Sequence, residues 1–150
     1  MKPRTRARSV ALQALYEIDI TEHLAGEVIE ERISDTQLEE ALGDFARQIV
    51  LGILPIIAQI DELIVKYAPE WPLDQVAIID RNILRIAIWE IAVEQQTPLK
   101  VAINEAVELA KLYGSDSTPR FVNGVLGSLA LHHNEIAQAF ANMDQSAKAG

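Results

Sequence analysis

The amino terminus combines residue types that could bind a polyanion. Four basic residues and no acid lie within the first sixteen residues, and they are Lys2, Arg4, Arg6 and Arg8. The chain as a whole has a net charge of −9, and all 22 of its acids follow this segment. RNA or DNA would be repelled by most of the surface and attracted to one end. The sequence therefore predicts a nucleic-acid contact at this basic start, or alternatively a basic tail that binds nothing.

Tyr16 lies two helical turns beyond Arg8, on the polar face of the helix that carries the arginines. Single-stranded RNA is typically held by guanidinium groups on its phosphates and by an aromatic ring stacked on an unpaired base. The basic start and Tyr16 would supply both groups. A tyrosine at this position could equally belong to the core with its hydroxyl group at the surface, and the spacing leaves both interpretations open.

Motifs of catalytic and metal sites do not occur in the sequence. It has no phosphate-binding glycine loop, no H-E-x-x-H, no G-x-S-x-G and no cysteine. The adjacent His132 and His133 would point about 100° apart on a helix and could not chelate one metal ion. Arg85 and Glu90, which fall in an apolar segment, are expected to pair with neighbouring helices. We therefore expect a binding protein without catalytic residues, metal or cofactor.

No segment predicts export or membrane insertion. The amino terminus lacks the apolar run of a signal peptide, although it carries the charges of one. The longest apolar stretches are short and are broken by Pro55 or by charged residues, so no membrane span is expected. The sequence thus predicts a cytoplasmic protein.

Apolar residues recur with helical periodicity nearly throughout the chain. The pattern predicts helical segments over 4–20, 42–67 (kinked or split by Pro55), 74–94, 99–113 and from 119 onward. Residues 17–44 hold ten acids and are expected to form a solvated connection with a weak helix. The segment 74–94 is apolar on almost every side, so it should lie in the middle of the domain.

Small and capping residues predict the helix ends. Thr97 should cap the helix over 99–113, and Gly114 should end it as a C′ glycine. Gly124 and Gly127 lie one turn apart inside the last helix, where each glycine costs about 1 kcal/mol relative to alanine. Close packing against a neighbouring helix is the preferred explanation. The alternative is a surface kept open for RNA beside Phe121.

Several blocks of sequence, taken in order, resemble the NusB family of bacterial transcription antitermination factors. The resemblance covers nearly the whole chain, except that residues 22–66 match only in helical character. The blocks are the basic start followed by Ala11-Leu12-Gln13-Ala14-Leu15-Tyr16, then Asp80-Arg81-Asn82-Ile83-Leu84-Arg85-Ile86-Ala87 with Glu90, then Pro98 with Lys100-Val101-Ala102-Ile103-Asn104-Glu105-Ala106-Val107-Glu108-Leu109-Ala110-Lys111, and finally Phe121-Val122-Asn123-Gly124-Val125-Leu126.

The resemblance implies an all-α, compact helical domain made of two small packed helix bundles. A front bundle would cover about 4–67, a back bundle about 74–142, and the tail over 143–150 would be frayed. It also implies binding to the single-stranded boxA element of nascent ribosomal RNA, together with NusE, a small-subunit ribosomal protein. The chain would then act, without catalysis, in a bacterial RNA polymerase antitermination complex.

The family's functional residues carry over to particular positions of this chain. The resemblance implies that the RNA-binding residues are Arg4, Arg6, Arg8, Tyr16, Arg120 and Phe121. It places Asp80, at the front of the central helix, where the family contacts NusE. The start is sparser than in the family's most arginine-rich members, and the body is acidic, so NusE is expected to supply much of the RNA affinity.

Two other functions fit the same fold. The chain could be a protein-binding helical adaptor that does not contact RNA directly. It could also be the RNA-binding domain of a ribosomal RNA methyltransferase fragment. The sequence leaves open the oligomeric state, with a homodimer as one alternative, the exact RNA sequence and affinity, and whether RNA binds without NusE.

Overall fold

The computed structural model describes residues 1–149, which form an all-α domain without a strand in that range. The predicted fold class is thus confirmed. The helices are α1 (Pro3–Ile20), α2 (Ala25–Thr36), α3 (Glu40–Ile53), α4 (Ile57–Tyr67), α5 (Ile78–Trp89), α6 (Leu99–Tyr113), α7 (Thr118–Ala130) and α8 (His133–Ala149).

Helix α5 is the centre of the domain and packs against α1, α3, α4, α6 and α7. Every residue from Asn82 to Trp89 is buried, as the apolar pattern on all sides of this segment predicts. The helix continues as a wider π-helical turn over Glu90–Glu94, which ends at Gln95 in the left-handed conformation (φ 61°). Helix α5 therefore connects the helices that precede it to those that follow it.

Helix α1 buries most of its surface against α2, α3 and α5. Helical periodicity predicts one apolar stripe on α1, and it is buried except for the half-buried Ile18; its residues are Ala7, Val10, Ala11, Ala14, Leu15 and Ile18. Residues 17–44 depart from the prediction of a solvated connection, because α2 is a full helix that buries Val28, Ile29 and Ile33 between α1 and α3. Three apolar side chains on one face are enough to hold this acidic helix to the core.

Pro55 splits the second predicted segment into α3 and α4, as expected, with a 3₁₀ turn over Leu54–Ile56 between them. By length and composition alone, the run Glu40–Tyr67 is apolar enough to cross a membrane, which the sequence prediction did not foresee. In the fold, one face of this run packs into the core through Ile49, Ile53 and Ile60. Its apolar composition therefore serves helix packing.

The end of the chain is helical as far as the structure describes it, and the predicted fraying of 143–150 stays a prediction. Helix α7 ends at Ala130, and α8 continues to Ala149; Gly150 lies outside the described residues. Helix α8 lies against the π-helical turn and buries Ile136. One hydrophobic core includes buried residues from α1 through α8, so the division into front and back bundles stays a prediction.

Arg85, near the middle of α5, ties three helices together. Its guanidinium donates to both carboxylate oxygens of Asp61 on α4 (2.8 and 2.7 Å) and to Asp19 on α1 (2.8 Å). Asn82 donates to the same Asp19 carboxylate (2.8 Å). The expectation that Arg85 pairs with neighbouring helices is confirmed. The geometry fixes the carboxyl end of α1 beside the start of α5.

Candidate nucleic-acid interface

Arg8 is buried and cannot contact a phosphate, so its prediction as an RNA-binding residue is wrong. Its side chain is 3% exposed, and it donates two 2.8 Å hydrogen bonds to the Glu90 carboxylate. A Glu105 oxygen lies 3.6 Å from Nη1 of Arg8. Burial of this guanidinium disfavours its charge, but its hydrogen bonds and attraction to Glu90 outweigh burial and leave its pKa raised. Arg8 is a structural partner of the acidic groups of α6 and the π-helical turn.

Glu90 is the acceptor at the centre of this buried cluster. Besides Arg8, it accepts a hydrogen bond from Oγ1 of Thr97 (2.9 Å). Thr97 is therefore not the side-chain cap predicted for α6, which begins directly after Pro98 without such a bond. A buried carboxylate is costly unless it is fully paired, which explains why an arginine and a hydroxyl group both turn toward Glu90.

Arg4 and Arg6 lie on the surface beside this cluster. The guanidinium of Arg4 stacks over the Phe45 ring, 3.8 Å from its centroid. Arg6 donates from Nη2 to the backbone carbonyl of Thr36 at the end of α2. A guanidinium has five N–H donors, so each of these arginines keeps donors that can contact a phosphate. The start of α1 is thus an ordered helix that presents two arginines, not three.

Tyr16 lies on the surface of α1 with 37% of its area exposed. The fold covers part of this residue and leaves part of it open to solvent. Its assignment as a stacking residue stays a prediction. Ser9, which helical spacing places on the same polar face, is instead buried.

Asp80 faces the start of α7. Its carboxylate accepts a 2.9 Å hydrogen bond from Oγ1 of the buried Thr118, which in turn accepts one from the backbone N–H of Ser115 (2.9 Å). Half-burial raises the pKa of the Asp80 carboxyl, and the bond from Thr118 counteracts this only in part.

Gly114 adopts an ordinary φ of −91°, so it is not a left-handed C′ glycine. A Cβ there would lie 2.5 Å from Thr118, and close approach explains the glycine.

Arg120 and Phe121 lie in the first turn of α7, next to Asp80. Arg120 is exposed and has neither a hydrogen bond nor an ion pair within residues 1–149, while Phe121 is half-buried. Together with Asp80 they line a surface hollow of about 380 Å³. The structure brings these three predicted residues together.

The two predicted contact regions lie toward opposite ends of α5. Arg8 pairs with Glu90 just after the end of α5, and Asp80 lies in its first turn. Ten residues of helix separate these two positions by about 15 Å. Tyr16 lies on α1 between the regions, one turn before Asp19, which contacts Arg85 in the middle of α5.

Trp71 is the surface residue that sequence reasoning missed. It lies in the linker before α5, is 51% exposed, and borders the same hollow as Arg120 and Phe121. The one signal in the sequence is a tryptophan between Pro69 and Pro72, in a segment too short to form a core of its own. Linker composition does not tell which way such a ring points, so it could not be ranked as a site residue.

Gly124 and Gly127 are exposed, and no atom lies within 4 Å of a Cβ added to either one. The preferred explanation by close packing is therefore wrong.

We expect Gly124→Ala and Gly127→Ala each to raise the free energy of unfolding by about 0.5–1 kcal/mol, because alanine reduces the conformational entropy of the unfolded chain and favours helix. Urea denaturation of both variants checks this. A lower free energy of unfolding in either variant would show that the added methyl group is not accommodated at that position.

In sequence, this chain is similar to the members of one protein family. The model of the NusB family matches residues 5–131, which is most of the chain. A transcription antitermination protein NusB of Roseiflexus castenholzii is 46% identical over 134 residues, which cover 88% of this chain and 94% of that protein. The corresponding protein of Bacillus subtilis is 44% identical over 129 residues, covering 86% and 95%. The chain belongs to the NusB family.

Solved NusB structures share the fold. A NusB structure from T. maritima is 32% identical, has a TM-score of 0.77 and covers 92% of each chain. A crystal structure of antitermination factors NusB and NusE in complex with double-stranded RNA contains a chain that is 26% identical, with a TM-score of 0.78 and coverage of 93% of this chain and 98% of that one. The region matched by the NusB family model ends before α8 and begins after Arg4.

Proposed function

We propose that this NusB-family chain is a transcription antitermination factor that binds the single-stranded boxA element of nascent ribosomal RNA together with NusE. The observation that carries this proposal is the placement of Arg4 and Arg6. They are exposed on an ordered helix at one end of an acidic protein whose fold is that of NusB. A concentrated pair of guanidinium groups attracts phosphates where the rest of the surface repels them.

The same proposal makes the protein a non-catalytic, cytoplasmic component of an RNA polymerase antitermination complex. Its surface supports binding rather than chemistry, because the paired charges of the core are used to hold helices together. The relatives described above are named as antitermination proteins rather than methyltransferases, and the chain spans 94% and 95% of the length of the two quoted. This favours antitermination over the methyltransferase-fragment alternative.

A salt titration of RNA binding tests the proposal. Filter binding of a boxA-like RNA should be tighter with NusE than without it, because the chain offers few cations of its own. If Arg4, Arg6 and Arg120 each contact a phosphate, the logarithm of the RNA-binding constant should fall with the logarithm of the salt concentration. These three contacts should contribute a slope of about −2. Absence of RNA retention even with NusE would instead support the adaptor without RNA contact.

Asp80 is the partner-binding residue in this proposal. Asp80→Lys should weaken NusE binding by about tenfold or more, because it replaces a half-buried anion at the contact surface with a cation. Calorimetry with NusE in the absence of RNA measures the effect. Asp80→Asn is the matched control, since its amide oxygen can still accept the hydrogen bond from Thr118. Unchanged NusE affinity in the folded lysine variant would place the partner on another surface.

A further inference from the structure

Two neighbouring surface hollows share three residues, Trp71, Arg120 and Phe121. The first hollow, of about 380 Å³, extends from them toward Asp80 and the serines before α7. The second, of about 300 Å³, extends toward Gly124 on the next turn of α7. The exposed Trp71 side chain therefore borders an open path that runs along one side of α7.

The backbone at Trp71 is restricted. Its N–H donates to the carbonyl of Ala68 (3.1 Å) in a tight turn, and Pro69 and Pro72 restrict the chain on both sides. An aromatic ring that is half exposed on a restricted turn loses little conformational entropy when it binds. The exposed ring of Trp71 is therefore available for stacking and is not part of the core.

Two aromatic side chains, Trp71 and Phe121, and the guanidinium of Arg120 favour an unpaired base as the occupant of this path, which two carboxylates, Glu70 and Asp80, also line. Among the described residues that line the two hollows, Arg120 is the only base, and it has no ionic partner in residues 1–149. It can therefore hold a phosphate while a neutral nucleobase stacks on Trp71. The open surface at Gly124 leaves room for the strand to continue.

We propose that Trp71 stacks on an unpaired base of the bound RNA, with Arg120 on the adjoining phosphate and Phe121 beside it. This inference rests on the proposed function, because it assigns a further contact of the same RNA. It adds a residue of the linker to the RNA path and extends that path onto α7 as far as Gly124. Stacking of a base on an aromatic side chain tolerates any sequence, so Trp71 would add affinity without selecting one base.

Intrinsic fluorescence gives a direct test, since the chain has two tryptophans and the other one, Trp89, is buried in the core. Titration of the full chain and NusE with boxA-like RNA should quench the emission of Trp71. In the same complex, Trp71→Ala should weaken RNA binding about 5- to 150-fold. Trp71→Phe should keep the affinity within a few-fold but lose the quenching, and Trp71→Leu should behave like Trp71→Ala.

The outcomes separate this inference from the proposed function. Normal RNA affinity in Trp71→Ala, with RNA still bound by the wild type, would overturn the stacking site and leave antitermination binding intact. No RNA binding by the wild type with NusE would overturn both. If Trp71→Ala weakened NusE binding measured without RNA, the path would be a protein contact and the inference would be wrong. Urea denaturation should show that all three variants are folded under the binding conditions, so that their RNA affinities can be compared per folded molecule.

Discussion

Arg8→Ala should lower the free energy of unfolding by about 3–5 kcal/mol, because it leaves the buried Glu90 carboxylate without its cation. The guanidinium makes two hydrogen bonds to Glu90 and lies near Glu105, and its side chain is only 3% exposed. Urea denaturation followed by circular dichroism measures the change. The RNA affinity of the fraction that remains folded should change little.

Arg4→Ala is the matched control for this experiment. It removes the same type of side chain from the same helix, one turn earlier, but Arg4 is exposed and is held only by its stacking on Phe45. Such a cation–π contact contributes about 0.5–1 kcal/mol at the surface. The hypothesis of a structural Arg8 fails if Arg8→Ala is as stable as Arg4→Ala and has lost its affinity for RNA.

The contrast between these arginines shows where sequence reasoning stops. Arg4 and Arg8 are four residues apart, so helical periodicity places them on one face, and both guanidinium groups lie over Phe45. Which of them is buried depends on Glu90, whose position is set by the packing of α5 on α1. A contact between residues 82 apart in the sequence leaves no mark on the local pattern. The basic start could thus be predicted as a region but not residue by residue.

Strong local patterns predicted the helices well, and weak ones did not. The predicted range 99–113 is that of α6, and the segment that is apolar on all sides is the buried α5. Helix α2 was underestimated because three apolar side chains among many acids give a weak signal until α1 and α3 supply the surface they cover. Composition alone therefore described its charge correctly and its structure incorrectly.

The glycines of α7 illustrate the opposite error. A glycine inside a helix lowers the stability of that helix, and the sequence reveals this. The reason why glycine is present depends on what surrounds it in the fold. Gly124 has no neighbour within 4 Å and lies at the edge of the hollow beside Phe121 and Trp71. The interpretation as an open surface, the less favoured alternative at first, is the one that fits the fold. Whether a helical face is exposed depends on how the other helices pack, so the sequence alone does not explain why glycine occupies these positions.

The combined variant Arg4→Ala/Arg6→Ala should bind boxA-like RNA at least about tenfold more weakly in the presence of NusE, because it removes both exposed guanidinium groups of the basic start. The salt dependence is the more specific signature. The log–log slope should become shallower by about 1.4, since each phosphate contact to a single strand contributes about 0.7. The free energy of unfolding should fall by no more than about 1–2 kcal/mol, because both side chains are exposed.

A general change in net charge would also weaken RNA binding, so the control must remove the same charge elsewhere. Lys66→Ala/Lys148→Ala does so on α4 and α8, where one lysine lies near Tyr67 and the other pairs with Asp144. Long-range attraction between exposed charges is screened within about 8 Å at physiological ionic strength, so this control should lose little affinity and keep the wild-type slope. Equal losses in the two double variants would mean that net charge, rather than contact at Arg4 and Arg6, governs the binding. A larger loss and a shallower slope confined to the arginine variant would place the phosphates at the start of α1.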